Sequence, residues 1–109
     1  MTAKKSVCKM KYLITESQYN KAIDRFITHH LEPHEEKPLG YGDVMWFKDR
    51  RIVAETSTPL SFYVTYDIWN SISSMFSLSF KETVSVIETW LEKHYPNMSG
   101  LIPNIAPYR

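Results

Sequence analysis

The densest collection of chemically active side chains in this sequence is His29, His30, His34, Glu35 and Glu36. Imidazole and carboxylate groups bind zinc and related metals when three or four of them converge on one point. The spacing here follows no established metal motif. There is no His-Glu-x-x-His, and Pro33 separates His34 from the two preceding histidines. Histidines in the last turn of a helix have a simpler account, because that end carries the negative pole of the helix dipole. His94, near the end of a second expected helix, reads in the same way. His29, His30 and His34 are therefore the best-placed metal ligands in the chain, but no metal and no other cofactor is expected.

Nucleophilic chemistry has less support. Cys8 is the sole cysteine and lies among Lys4, Lys5, Lys9 and Lys11 with no base positioned beside it. A single thiol forms no intramolecular disulfide, which fits a reducing, intracellular setting. The serines occupy turn and helix-cap contexts without Gly-x-Ser-x-Gly surroundings. Gly40 and Gly42 make only a Gly-x-Gly fragment, lacking the third glycine and the flanking strand and helix of a nucleotide fingerprint. The expectation is a protein that is not an enzyme, with a metal-dependent enzyme as the third reading.

Side chains suited to contact are better represented. Lys48, Arg50 and Arg51 surround an expected strand-to-strand link, and the 14% aromatic content supplies more large rings than a small core commonly absorbs. Most of these rings belong inside, where they contribute much of the buried area. Tyr63 falls on the opposite strand face from Phe62 and Val64. Tyr63, Arg50 and Arg51 are therefore the expected partner-binding residues, since Tyr and Arg bury large contact areas while keeping polar bonds. The partner read from this is another protein or a second copy of the chain. Nucleic acid gripped by the basic hairpin is the alternative.

The elements that must position these groups follow from spacing. With 109 residues, 43% hydrophobic content and no long Gly, Ser or Pro tract, the chain is sized for one domain with one core. Thr15 with Gln18 marks a helix start, followed by an apolar stripe of Tyr19, Ala22, Ile23, Phe26 and Ile27 that ends before Pro33. Residues 32–42 read as a polar connection. Val44–Phe47, Ile52–Thr56 and Ser61–Tyr66 read as strands, the first two forming a hairpin whose turn lacks an Asn-Gly or Asp-Gly pair. Asp67 is the expected cap of a short helix, and Ser79 with Glu82 opens a longer one ending before Pro96.

The fold class is therefore α+β: a small antiparallel three-stranded sheet within 43–66, flanked by an N-terminal helix and two C-terminal helices. Residues 1–9 are expected to be a flexible basic extension dispensable for folding, 10–96 the domain, and 97–109 an irregular tail. The two C-terminal helices imitate a helix-turn-helix. The face expected of the second helix, Lys81, Glu82, Thr83, Ser85, Glu88, Thr89, Glu92 and Lys93, holds more acids than bases, which is unfavourable toward phosphate. No apolar run is long enough to span a membrane and the first residues lack a secretory pattern, so a cytoplasmic protein is expected.

Lys11 to Tyr19, read as Lys-Tyr-Leu-Ile-Thr-Glu-Ser-Gln-Tyr, resembles the openings of small uncharacterised proteins from T4-like and marine tailed bacteriophages. The resemblance covers that segment only and carries no fold, activity or site. It implies a viral accessory protein acting in the host cytoplasm by binding another macromolecule. The function expected from the whole sequence is a small non-catalytic protein-interaction module.

Overall fold

The structure, a computed structural model, describes residues 15–40, 42–57 and 60–107. The expected extension at 1–9 and the segment 10–14 leading into the first helix lie outside the described residues.

The first helix, α1 (Glu16–Leu31), begins where the capping box requires. The Gln18 amide donates to Thr15 Oγ1, and the Thr15 amide donates back to Gln18 Oε1, both at 3.1 Å. Ile23, Ile27 and Leu31 form its buried stripe, with Tyr19 and Phe26 packed alongside; Ala22 is exposed. The helix closes at Glu32, whose amide reaches the Thr28 carbonyl at 2.7 Å. Lys48 Nζ donates to the His29 carbonyl, placing a cation at the negative end of the helix.

The sheet is larger than the sequence predicts. Its strands are β1 (Glu35–Pro38), β2 (Val44–Lys48), β3 (Arg51–Ser57), β4 (Ser61–Val64) and β5 (Ile102–Ile105), in the order β1-β2-β3-β4-β5. The first four are antiparallel neighbours, whereas β5 runs parallel to β4. A three-stranded antiparallel sheet is thus corrected to five strands of mixed direction. Glu-Glu-Lys-Pro carries no strand-like pattern of its own and joins the ladder as an edge of β2. Ile-Pro-Asn-Ile, in the stretch expected to be irregular, is positioned by the two helices that cross from the end of β4 to the start of β5. A parallel neighbour requires such a crossover.

Those helices are α2 (Tyr66–Phe76) and α3 (Phe80–His94), followed by a 3₁₀ turn at Pro96–Met98. Asp67 is not the cap of α2; Thr65 is, without a side-chain capping bond, and Asp67 lies in the first turn. The α3 capping box is present, with the Glu82 amide to Ser79 Oγ at 3.2 Å and the Ser79 amide to Glu82 Oε1 at 2.8 Å. Thr83, expected on the exposed face, is buried, and its hydroxyl donates to the Ser79 carbonyl at 2.8 Å.

All three helices contribute to one core. Ile23, Ile27 and Leu31 meet Trp69 and Ile72 of α2, Ile87, Trp90 and Leu91 of α3, and Trp46, Ala54, Phe62 and Val64 of the sheet. Because strand side chains alternate, one sheet face is consumed by this core. The other face presents Met45, Phe47, Ile52 and Tyr63, each half-buried. No described element covers it.

Candidate functional site

The hairpin joining β2 to β3 turns through only two residues, Asp49 and Arg50, with Lys48 opposite Arg51 at the closing pair. Both central residues have positive φ, 54° and 66°, as a type I′ turn requires. Asn and Gly are the residues that adopt this geometry readily; arginine pays for its Cβ there. A register shift between Trp46 and Phe47 then adds Val53 as an extra residue on β3. The bulge sets Phe47 opposite Ile52 beside the turn.

These features frame an open cleft of about 510 Å³ lined by Phe47, Arg50, Arg51, Ile52, Thr65, Tyr66 and Asp67. Phe47 and Ile52 supply an apolar floor, and Tyr66 stands at the first position of α2, 51% exposed. Arg51 lies 3.7 Å from Asp67, but both side chains are well exposed, so solvent weakens this pair and leaves the guanidinium able to exchange partners. Next to the cleft, the ladder places Lys37, Met45, Glu55, Tyr63 and Asn104 across the strands in one row on the helix-free face.

The structure places Arg50 and Arg51 in a cleft with the rings of Phe47 and Tyr66. Tyr63 belongs to the neighbouring row and does not line the cleft. Tyr66 was legible only as an aromatic residue at the end of an expected strand; as the opening residue of a helix it has no core to enter.

The histidine group is divided. His29 and His30 line a second cleft behind the hairpin, of about 380 Å³, together with Lys48, Asp49, Arg51 and Asp67. Burial pushes the His30 imidazole below its ordinary pKa, and the nearby His29 and Lys48 add to that direction. His34 is elsewhere. Its ring stacks on Trp46 with centroids 3.7 Å apart, its side chain is 5% exposed, and its nitrogens face the Leu31 carbonyl and Glu36 Oε2, each at 3.2 Å. Its buried side chain ties the end of α1 to β1, apart from His29 and His30. Among the described residues no group of three or more His, Cys, Asp or Glu side chains is arranged to hold a metal ion.

His94 has a structural position as well. Its Nε2 lies 3.2 Å from both oxygens of Asp24, Lys93 Nζ lies 3.2 Å from Asp24 Oδ2, and Trp90 Nε1 donates to Thr28 Oγ1 at 2.9 Å. Together these contacts tie α3 to α1.

The free edges of the sheet are poor templates for another strand. On β5 the donors directed away from β4 belong to Pro103, which has none, and to Ile105, whose amide is taken by Asn104 Oδ1 at 2.8 Å. On the other edge β1 is Glu-Glu-Lys-Pro and exposed throughout. Proline and charge are common means of preventing edge-to-edge pairing. Among the described residues no helix is long and apolar enough to cross a membrane.

No protein-family model, curated protein or solved structure matches the chain.

Proposed function

We propose that this protein is a non-catalytic interaction module that binds an acidic protein segment carrying large apolar side chains. The observation that carries this reading is the junction of Arg50 and Arg51 with Phe47, Ile52 and Tyr66 in one open cleft, continuous with a helix-free sheet face bearing Met45 and Tyr63. An apolar anchor from the partner enters the cleft, while its carboxylates meet the guanidinium groups at the rim. This is the usual division between the centre and edge of a protein interface.

Charge distribution favours a protein over nucleic acid. All twelve acids of the chain lie among the described residues, whereas Lys4, Lys5, Lys9, Lys11 and Arg109 do not. The described body is therefore acidic, with a basic spot at the hairpin. A phosphate backbone is normally followed by a longer basic track. The α2–α3 pair supports no helix-turn-helix reading either, because the exposed positions of α3 include Glu82, Glu88 and Glu92.

Selection of random displayed peptides on the intact chain tests this reading. Recovered peptides are expected to place Asp or Glu within a few residues of a large apolar side chain. Their affinity should fall about tenfold or more in Tyr66→Ala and Arg50→Gln, a loss of about 1.4 kcal/mol or more, and remain unchanged in Lys81→Gln on the exposed face of α3. Enriched peptides that bind these variants equally well contradict the proposal. So does oligonucleotide binding that displaces them and weakens steeply with salt.

A further inference from the structure

The second hairpin cleft, behind the aromatic one, gathers cationic and imidazole side chains from three separate elements. His29 and His30 come from the last turn of α1, Lys48 from the end of β2 and Arg51 from the start of β3. Thr65 adds a hydroxyl group to a volume of about 380 Å³, whereas the Ser71 hydroxyl at its wall already donates to the Asp67 carbonyl at 2.8 Å. We propose that this cleft binds a tetrahedral oxyanion of the kind a phosphate group presents, with Arg51 and Lys48 as its charged partners and His29 and His30 completing the site.

The chemistry of the lining supports that class of ligand. A guanidinium offers paired N–H donors that match two oxygens of a phosphate, and an ammonium acts as a compact charge. Lys48 uses one donor on the His29 carbonyl, which fixes its head group at the cleft and leaves two donors. Asp49 and Asp67 also face the cleft. With a neutral His30 imidazole these two carboxylates balance Lys48 and Arg51, so protonation of His30 makes the cleft cationic. The depressed pKa of His30, caused first by burial and then by the charges of His29 and Lys48, fits a confined group in electropositive surroundings. A bound dianion favours the imidazolium, and by linkage its affinity rises as pH falls.

This cleft shares Arg51, Ile52, Thr65 and Asp67 with the aromatic one, but Tyr66 and Phe47 do not line it and His29 and His30 do not line the other, so Tyr66→Ala and His30→Gln separate the two readings. Inorganic sulfate is a suitable first probe, since it remains a dianion throughout the histidine range and any pH dependence therefore belongs to the protein. Histidine ring resonances of the full chain are followed by NMR during sulfate titrations at pH 5.5 and pH 7.5. Saturable shifts centred on His30 and His29 are expected, with affinity at least fivefold greater at the lower pH. Arg51→Gln should weaken binding about tenfold, His30→Gln should reduce its pH dependence, and Tyr66→Ala should leave it unchanged. A phosphoserine peptide that binds more tightly than sulfate, while its unphosphorylated form does not shift these rings, identifies a phosphate carried on a polypeptide. Equal affinities identify the free anion. Non-saturating shifts, or unchanged sulfate affinity in a folded Arg51→Gln variant, overturn the proposal.

Discussion

Trp46 and Trp90 share one core, with ring centroids 6.3 Å apart, but their indole N–H groups have different surroundings. Trp90 donates to Thr28 Oγ1 at 2.9 Å, whereas Trp46 Nε1 is buried with no hydrogen-bond partner among the described residues. Replacing either by Phe removes apolar volume, but only Trp90→Phe also breaks a buried bond. Urea unfolding should therefore show Trp90→Phe to be more destabilising than Trp46→Phe by about 1–2 kcal/mol; equal losses, or a larger loss at Trp46, contradict this account. The Trp90 bond adjoins Asp24, where burial raises the carboxyl pKa but the hydrogen bonds and charges of His94 and Lys93 outweigh it, leaving the pKa below the ordinary range. A depressed pKa means that the unfolded chain binds more protons in the acid range, so this stabilisation is complete above an ordinary carboxylate pKa of about 4 and declines as pH falls through the folded value. The stability difference between the natural chain and Asp24→Asn should accordingly shrink below pH 4. A constant difference from pH 7 to pH 2 assigns Asp24 no such role.

The hairpin between β2 and β3 combines a tight turn with a residue ill suited to it. Arg50 sits at φ 66°, where glycine is preferred, so Arg50→Gly should relieve about 1 kcal/mol of backbone strain and raise Tm, while weakening capture of acidic peptides. A lower Tm removes the strain argument, and undiminished capture removes Arg50 from the contact surface. The edge of β5 offers a second test. Pro103→Ala with Asn104→Ala supplies one outward N–H and frees another, and should promote concentration-dependent self-association in sedimentation; a variant that matches the natural chain shows that these residues do not guard the edge. The helices α1 and α3 were legible because their capping boxes and apolar periods are local signals, α2 from its apolar period alone, and β2, β3 and β4 because their β-branched and aromatic residues are contiguous. β1 and β5 were not, since their strand state comes from a neighbouring ladder. Arg50 and Arg51 were legible as exposed cations beside a turn. Tyr66 was not, because its exposure depends on where α2 begins, and the division of His34 from His29 and His30 depends on the chain folding back between Leu31 and Trp46.

At the scale of the whole molecule, three helices cover one face of a five-stranded sheet and no described element covers the other. The edges are blunted by Pro103, by the Asn104 side chain and by the charged β1, so among the described elements the open sheet face and its hairpin are the surfaces the proposal uses. The described body is acidic and the hairpin basic, a charge distribution that would orient the proposed acidic segment toward Arg50 and Arg51. The central claim is that this face, with the aromatic cleft at its end, is where a partner sits. An amide and side-chain chemical-shift map of the isotopically labelled protein, titrated with a selected acidic-apolar peptide, tests it most directly. The account predicts saturable changes concentrated on Met45, Phe47, Arg50, Ile52, Tyr63 and Tyr66, with little change along Lys81, Ser85 and Glu88 of α3. Changes confined to the groove between α1 and α3, lined by Ser17, Asn20, Ser85 and Thr89, would contradict it.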